Sequence, residues 1–135
     1  MKISIIIPTY NEESTIERLM ETLEPLNERC EILFVDGGST DGTLALLKDQ
    51  YPVIQSPKGR AKQMNMGAEE SSGDVLFFLH CDSEVPPTAL EEIETVISKK
   101  NKVVNIHATT QLKVVLVKPE RFEDASTIAD HLNNK

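Results

Sequence analysis

The sequence predicts an α/β fold, a mainly parallel sheet layered between helices. Three features carry that expectation: short and almost wholly apolar runs, helix-period segments between them, and polar clusters that close each run. Strands buried on both faces read as continuous apolar runs, and strand–helix alternation implies right-handed crossovers in a parallel sheet.

Each element has its own signal. Ile3 to Ile7, ended by Pro8, suits a central buried strand. Ile16, Leu19, Met20 and Leu23 fall on one face of a helix from about residue 12 to 24, with Asn11 placed to cap it and Pro25 to stop it. Glu31 to Val35 is a second strand, closed by Asp36-Gly37-Gly38. Ser39 and Thr40 are placed to cap a helix over about 42–49, with Leu44 and Leu47 inward. Val53-Ile54 is a short third strand, residues 60–70 a third helix, and Val75 to Leu79 a fourth strand that ends in His80-Cys81-Asp82-Ser83. Pro86-Pro87 opens a helix to about Ser98, since proline suits a first turn. Further on, Lys113 to Val117 reads as a buried strand and 122–132 as a helix, while 103–111 suits either an edge strand or an ordered loop. The sum is a Rossmann-like, three-layer α/β/α arrangement.

A chain of 135 residues with 39% hydrophobic content is long enough to bury one core, so no disulfide scaffold is required. Cys30 and Cys81 are too few and too scattered for a framework or a zinc site, and a reducing, cytoplasmic setting is expected. No transmembrane run is found, and the first residues read as a strand and not as a signal peptide. A net charge of −8 argues against general nucleic-acid binding, which needs a basic stripe. It does not exclude a phosphate held locally by backbone amides and a few cations. The charge is uneven: residues 1–101 carry −9 and residues 102–135 carry +1, which divides the chain into a body and a tail.

Ligands of parallel sheets bind at the carboxyl ends of the strands. Three polar clusters are expected there: Pro8-Thr9-Tyr10-Asn11-Glu12, the turn from Asp36 to Thr43, and His80-Cys81-Asp82-Ser83. The glycine-rich turn lets backbone approach a ligand beside a helix start, and it reads equally as a tight turn with a hydroxyl cap. His80 and Asp82 suit a divalent ion that would neutralise a diphosphate, with a turn-capping carboxylate and a rim histidine as the alternative. Lys58, Arg60 and Lys62 form the compact basic cluster of the body, suited to phosphate or to a solvated face. Tyr10 can stack on a flat base or stand as a half-buried rim aromatic. Cys81 reads as a small buried residue, because no base or cation marks it as a nucleophile.

Taken together, four segments resemble the nucleotide-binding half of family-2 glycosyltransferases with the GT-A fold. They are Ile5 to Glu12, Val35 to Thr43, Gly59 to Ala68 and Phe78 to Asp82, in the family's order over about residues 1–100. The resemblance implies a nucleoside-diphosphate sugar, UDP-type, as donor, with transfer of its sugar to an acceptor hydroxyl. It implies that Pro8, Thr9, Tyr10, Glu12, Asp36, Gly37 and Arg60 line the nucleotide site. His80 and Asp82 stand where the family has its Asp-x-Asp motif, so the resemblance implies Mg²⁺ or Mn²⁺ with Asp82 as the better contact. No candidate for the family's catalytic base is found, which makes this a truncated GT-A fold with its acceptor unidentified. Homo-oligomerisation stays open.

The tail differs. Lys113-Val114-Val115-Leu116-Val117-Lys118-Pro119, with Phe122 and Ala125 to Leu132, resembles the opening strand and helix of the cell-division protein SepF. Residues 1–101 then form a nucleotide-sugar-binding half domain, and 102–135 a SepF-like extension packed on the same sheet and covering its open edge. That combination fits a chimera, natural or engineered. A non-catalytic scaffold and a division-type interaction module are the alternative functions.

Overall fold

A computed structural model of the protein describes residues 2–82, 85–99 and 114–117. Among these described residues, five strands form one sheet: β1 (Ile3–Thr9), β2 (Glu31–Asp36), β3 (Val53–Gln55), β4 (Val75–Phe78) and β5 (Val114–Val117), in the order β3-β2-β1-β4-β5. Four α-helices accompany them: α1 (Glu13–Leu23), α2 (Thr43–Leu47), α3 (Arg60–Glu70) and α4 (Ala89–Lys99). The β3-β2-β1-β4 part is parallel, and β5 runs antiparallel to β4.

The chain first winds outward from β1 through β2 to β3. It then returns through α3 to place β4 on the other side of β1. With right-handed crossovers, that reversal moves α3 to the opposite face of the sheet. The core divides accordingly. The alternate side chains Ile3, Ile5 and Ile7 of β1 join Phe34 and Phe77 in a large cluster with α1, α2 and α4. Ile6, Val35, Leu76 and Phe78 point the other way, into a smaller cluster with Ala68 of α3. Gly67 lets α3 approach closely, since a Cβ there would lie 2.5 Å from Ile6 Cγ2 and 2.9 Å from Val35 Cγ2.

Several expectations need correction. β1 runs through Pro8 to Thr9 and does not end at the proline. Ile6 O accepts from Leu79 N, whereas Thr9 O accepts from Gly37 N, so even positions of β1 face β4 and odd positions face β2. The N–H that Pro8 lacks therefore falls on the β4 side. There the ladder stops at Ile6↔Phe78, while pairing with β2 continues to Thr9↔Asp36.

Asn11 does not cap α1: Glu12 holds the cap position, and Asn11 has a left-handed backbone, φ 52°. Its Oδ1 instead accepts from Thr40 N at 2.8 Å. Ser39 and Thr40 do not cap α2, which follows Gly42 and is shorter than expected. Asp41 Oδ1 accepts from Thr43 N and Thr43 Oγ1 there, at 2.9 and 2.6 Å. β4 ends at Phe78, one residue short of the expected Leu79, and α4 begins at Ala89, a turn after the prolines. The segments 103–111 and 122–132 lie outside the described residues.

Candidate functional site at the β1/β4 switch point

Strand order reverses between β1 and β4, and in open α/β sheets ligands bind at the carboxyl ends of the strands beside such a reversal. Pro8 ends the ladder between those two strands at that point. Two shells of residues meet there.

The inner shell is buried. Asp36 and Thr9 are at most 1% exposed, and Gly37 is buried beside them. Asp36 Oδ1 accepts from Thr9 Oγ1 at 2.9 Å and Ser39 Oγ at 2.6 Å. Its Oδ2 accepts from the backbone N–H groups of Gly38 at 2.9 Å and Ser39 at 2.7 Å. Four donors match the four lone-pair positions of a carboxylate. Asp36 thus fixes the tips of β1 and β2 together, with Gly38 in the left-handed region at φ 97°.

A residue of the Gly59 to Ala68 segment, to which the sequence assigned no role of its own, completes this shell. Gln63 of α3 is 4% exposed, and its Nε2 donates to Thr9 O at 2.9 Å and Val35 O at 2.8 Å. Its Oε1 accepts from Gly59 N at 3.2 Å. One amide therefore joins β1, β2 and the start of α3. A Cβ on Gly37 would lie 2.9 Å from that amide, which is why glycine suits the turn. The signal in the sequence was a polar residue four positions before Gly67, on the helix face that meets the sheet.

The outer shell is accessible. Tyr10 is half-buried, with Lys58 Nζ 4.0 Å from its ring centroid, a cation–π contact that covers one ring face. Arg60 at the start of α3 and Asp82 after β4 are exposed, and His80 is half-buried between them. Arg60 Nη2 meets His80 Nδ1 at 2.5 Å, bridging α3 to the end of β4. Glu12 is half-buried; its N–H donates to Thr43 Oγ1 at 2.8 Å, and its Oε1 accepts from Thr15 Oγ1 at 3.3 Å. Beneath them Cys81 is buried. Burial pushes its thiol far above the ordinary range, and the Glu12 and Asp82 carboxylates push it further. Both carboxylates thus lie within electrostatic reach of one buried sulfur.

The expected site residues therefore separate by depth. Tyr10, Glu12, Arg60, His80 and Asp82 reach the rim, whereas Thr9, Asp36 and Gly37 form its buried support, with Pro8 half-buried in β1. Among the described residues no group of three His, Cys, Asp or Glu side chains could hold a metal. Asp82 fits a divalent ion that takes its remaining ligands from phosphate and water, as Mg²⁺ commonly does. His80 fits poorly, with a guanidinium against its Nδ1. A cleft of about 360 Å³ between α1 and Tyr51, lined by Glu17, Glu21 and Glu24, lies away from this rim.

Residues 4–126 match the sequence profile of glycosyl transferase family 2. The chain belongs to that family. It is 31% identical over 122 residues to the undecaprenyl-phosphate 4-deoxy-4-formamido-L-arabinose transferase of Pseudomonas fluorescens, covering 81% of this chain and 35% of that enzyme. In structure it resembles S. aureus TarS 1-349 in complex with UDP-GlcNAc, with a TM-score of 0.64 and 25% identity over 82% of this chain and 37% of that one. Its fold is also that of the glucosyl-3-phosphoglycerate synthase from Mycobacterium tuberculosis bound to Mn²⁺ and UDP, at TM-score 0.63 and 24% identity over 71% and 39% of the two chains. The chain thus spans between a third and two fifths of these glycosyltransferases. Part of it is similar to something else: the cell division protein SepF of Alkaliphilus oremlandii is 51% identical over 59 residues, 40% of each chain. These likenesses agree with the two resemblances carried by the motifs.

Proposed function

We propose that this family-2 chain binds a nucleoside-diphosphate sugar at the β1/β4 switch point and serves as the donor-binding part of a glycosyltransferase. One observation carries the reading. The strand reversal brings a base-sized aromatic (Tyr10), two cationic side chains (Lys58 and Arg60), an imidazole (His80) and a carboxylate (Asp82) to one rim above a hydrogen-bonded floor. Tyr10 and the Asp36 turn face the nucleoside, and Lys58 and Arg60 attract the diphosphate. UDP-GlcNAc in TarS and UDP with Mn²⁺ in the mycobacterial synthase support a uridine donor.

In the reaction, the anomeric carbon exchanges its bond to the diphosphate oxygen for one to an acceptor hydroxyl. The chain's own residues orient the nucleotide and neutralise the departing diphosphate. A divalent ion held by Asp82 and diphosphate oxygens would add Lewis-acid charge neutralisation when bound.

The test is a titration of the chain with UDP, with and without Mn²⁺, following thermal stability. A ligand of the folded form raises the midpoint by mass action. The expected result is a rise with UDP that Mn²⁺ enlarges, with only the Mn²⁺-dependent part lost in Asp82→Ala. No shift with any nucleoside diphosphate would refute the reading.

For the tail, we propose that residues 102–135 form a SepF-like unit joined to the body through β5. Its support is the SepF likeness and the antiparallel seat of β5 on β4, and the family-2 match to residue 126 overlaps it.

A further inference from the structure

Lys58 Nζ lies 4.0 Å from the centroid of the Tyr10 ring, over its face, and the lysine is exposed while the tyrosine is half-buried. A ring face that carries an exposed side chain looks out across the crevice, so it is the face on which a flat base can stack. An ammonium and a base cannot share it. Magnitudes decide between them. A cation–π contact at an exposed position is worth about two- to fivefold in an equilibrium constant, whereas stacking a base on an aromatic ring is worth roughly five- to a hundredfold. A base therefore displaces the ammonium.

The loop that carries Lys58 is fixed at both ends. Ser56 N donates to Asp36 O at 2.9 Å, and Gly59 N donates to Gln63 Oε1 at 3.2 Å. Asp36 and Gln63 are the side chains that tie β1 to β2, so the loop is anchored on the floor of the site. Gly59 has φ 147°, an angle that other residues rarely adopt, while a Cβ there would meet nothing nearer than the Lys62 stem at 3.4 Å. Backbone direction, and not space, calls for glycine after Lys58. The backbone is thus held, and the flexible stem of Lys58 is left to move the charge.

We propose that Lys58 is a parked cation: it covers the stacking face of Tyr10 until a base takes that face, and then passes to the diphosphate. The assignment rests on the nucleotide-binding reading above and adds how the site tells a nucleoside diphosphate from a bare nucleoside. A nucleoside must displace Lys58 and offers the ammonium nothing in return. A nucleoside diphosphate displaces it and supplies a stronger, oppositely charged partner. Two substitutions separate these jobs. Lys58→Ala uncovers the ring and removes the charge, and Lys58→Arg keeps both the cover and the charge.

The experiment is calorimetric titration of the full chain with uridine and with UDP, both in EDTA. Lys58→Ala should bind uridine about two- to fivefold more tightly than wild type, because the cation–π contact no longer competes. The same change should weaken UDP about tenfold, as for one charge-assisted hydrogen bond less the relief at the ring. Lys58→Arg should behave as wild type with both ligands. Proton resonances of the Lys58 stem, shifted upfield by the Tyr10 ring and missing in Lys58→Ala, should move to the ordinary lysine position when UDP is added. Uridine bound no more tightly by Lys58→Ala than by wild type, UDP bound equally by both, or stem resonances that stay upfield with UDP each overturn the assignment while nucleotide binding stands. Failure of both ligands to bind either chain overturns the nucleotide reading and the assignment with it.

Discussion

Asp36 stands at the centre of the site without facing its solvent side. Four donors fill its carboxylate, two hydroxyls on Oδ1 and two backbone N–H groups on Oδ2. Asp36→Asn should therefore destabilise the fold by about 2–4 kcal/mol, because an NH₂ must then face one of those donor pairs. Urea denaturation measures this, and a midpoint equal to wild type would show that the turn does not depend on the carboxylate. The cysteines give a second test at this scale. Burial pushes Cys30 up to about 11, with Arg29 offsetting part of the effect, and Cys81 is pushed higher still. Since only the thiolate attacks a disulfide reagent, neither should react appreciably at about pH 8 until the chain is unfolded. Rapid modification of the native protein would contradict the burial of Cys81 and the partial burial of Cys30.

Between elements, the contacts that matter link segments far apart in sequence. Gln63 joins β1, β2 and α3, so Gln63→Leu should cost about 2 kcal/mol or more and weaken nucleotide binding as well. Gly67→Ala isolates the packing of α3. An exposed helix would gain about 1 kcal/mol from the change. Here the new methyl meets Ile6 and Val35, so a net loss of roughly 1–2 kcal/mol is expected by the same denaturation. At the opposite end of the sheet, Glu31 Oε1 accepts from Ser4 Oγ at 2.6 Å and Ser72 N at 2.9 Å. Partial burial raises the pKa of Glu31, but these hydrogen bonds and Lys2 outweigh it, leaving the group below its ordinary value of 4.5. A lowered folded-state pKa gives stability that is present above the unfolded value and is lost as pH falls through the folded one. Glu31→Gln should therefore lower stability at neutral pH and flatten the acid limb of the stability curve below about pH 4.5, where the two chains converge.

The same distinction between local and distant partners explains what the sequence made legible. The buried strands and the 3.6-residue pattern of α1 depend on neighbours within a few positions, and they were readable. The caps were misread because Asn11, Ser39 and Asp41 bond across loops about thirty residues apart, where propensity carries no information. Gln63 and the Arg60–His80 contact were hidden for the same reason. The rim itself was legible from topology, because alternation alone sends every cluster to one edge.

For the molecule as a whole, the sheet is asymmetric, with α1, α2 and α4 against one face and α3 against the other. β5 closes the edge of β4 over four residue pairs, from Val75↔Val117 to Phe78↔Val114. A chain ending at residue 102 would leave the apolar strand β4 with an open edge, and it should self-associate in light scattering. A monomeric, stable product would argue that β5 is dispensable. If the tail docks as proposed, limited proteolysis should leave the full chain resistant, and quick trimming back to about residue 100 would contradict docking. The strand order also sets a sequence in time. β1 meets β2 across fewer than thirty residues, but it meets β4 only across about seventy. Closing the longer loop costs about 0.9 kcal/mol more, roughly a fourfold handicap in rate, before the β1–β4 contacts begin to compensate. During refolding the capacity to capture a labelled nucleotide should therefore appear after most of the far-ultraviolet dichroism has returned, and binding would mark the last step of the chain's assembly.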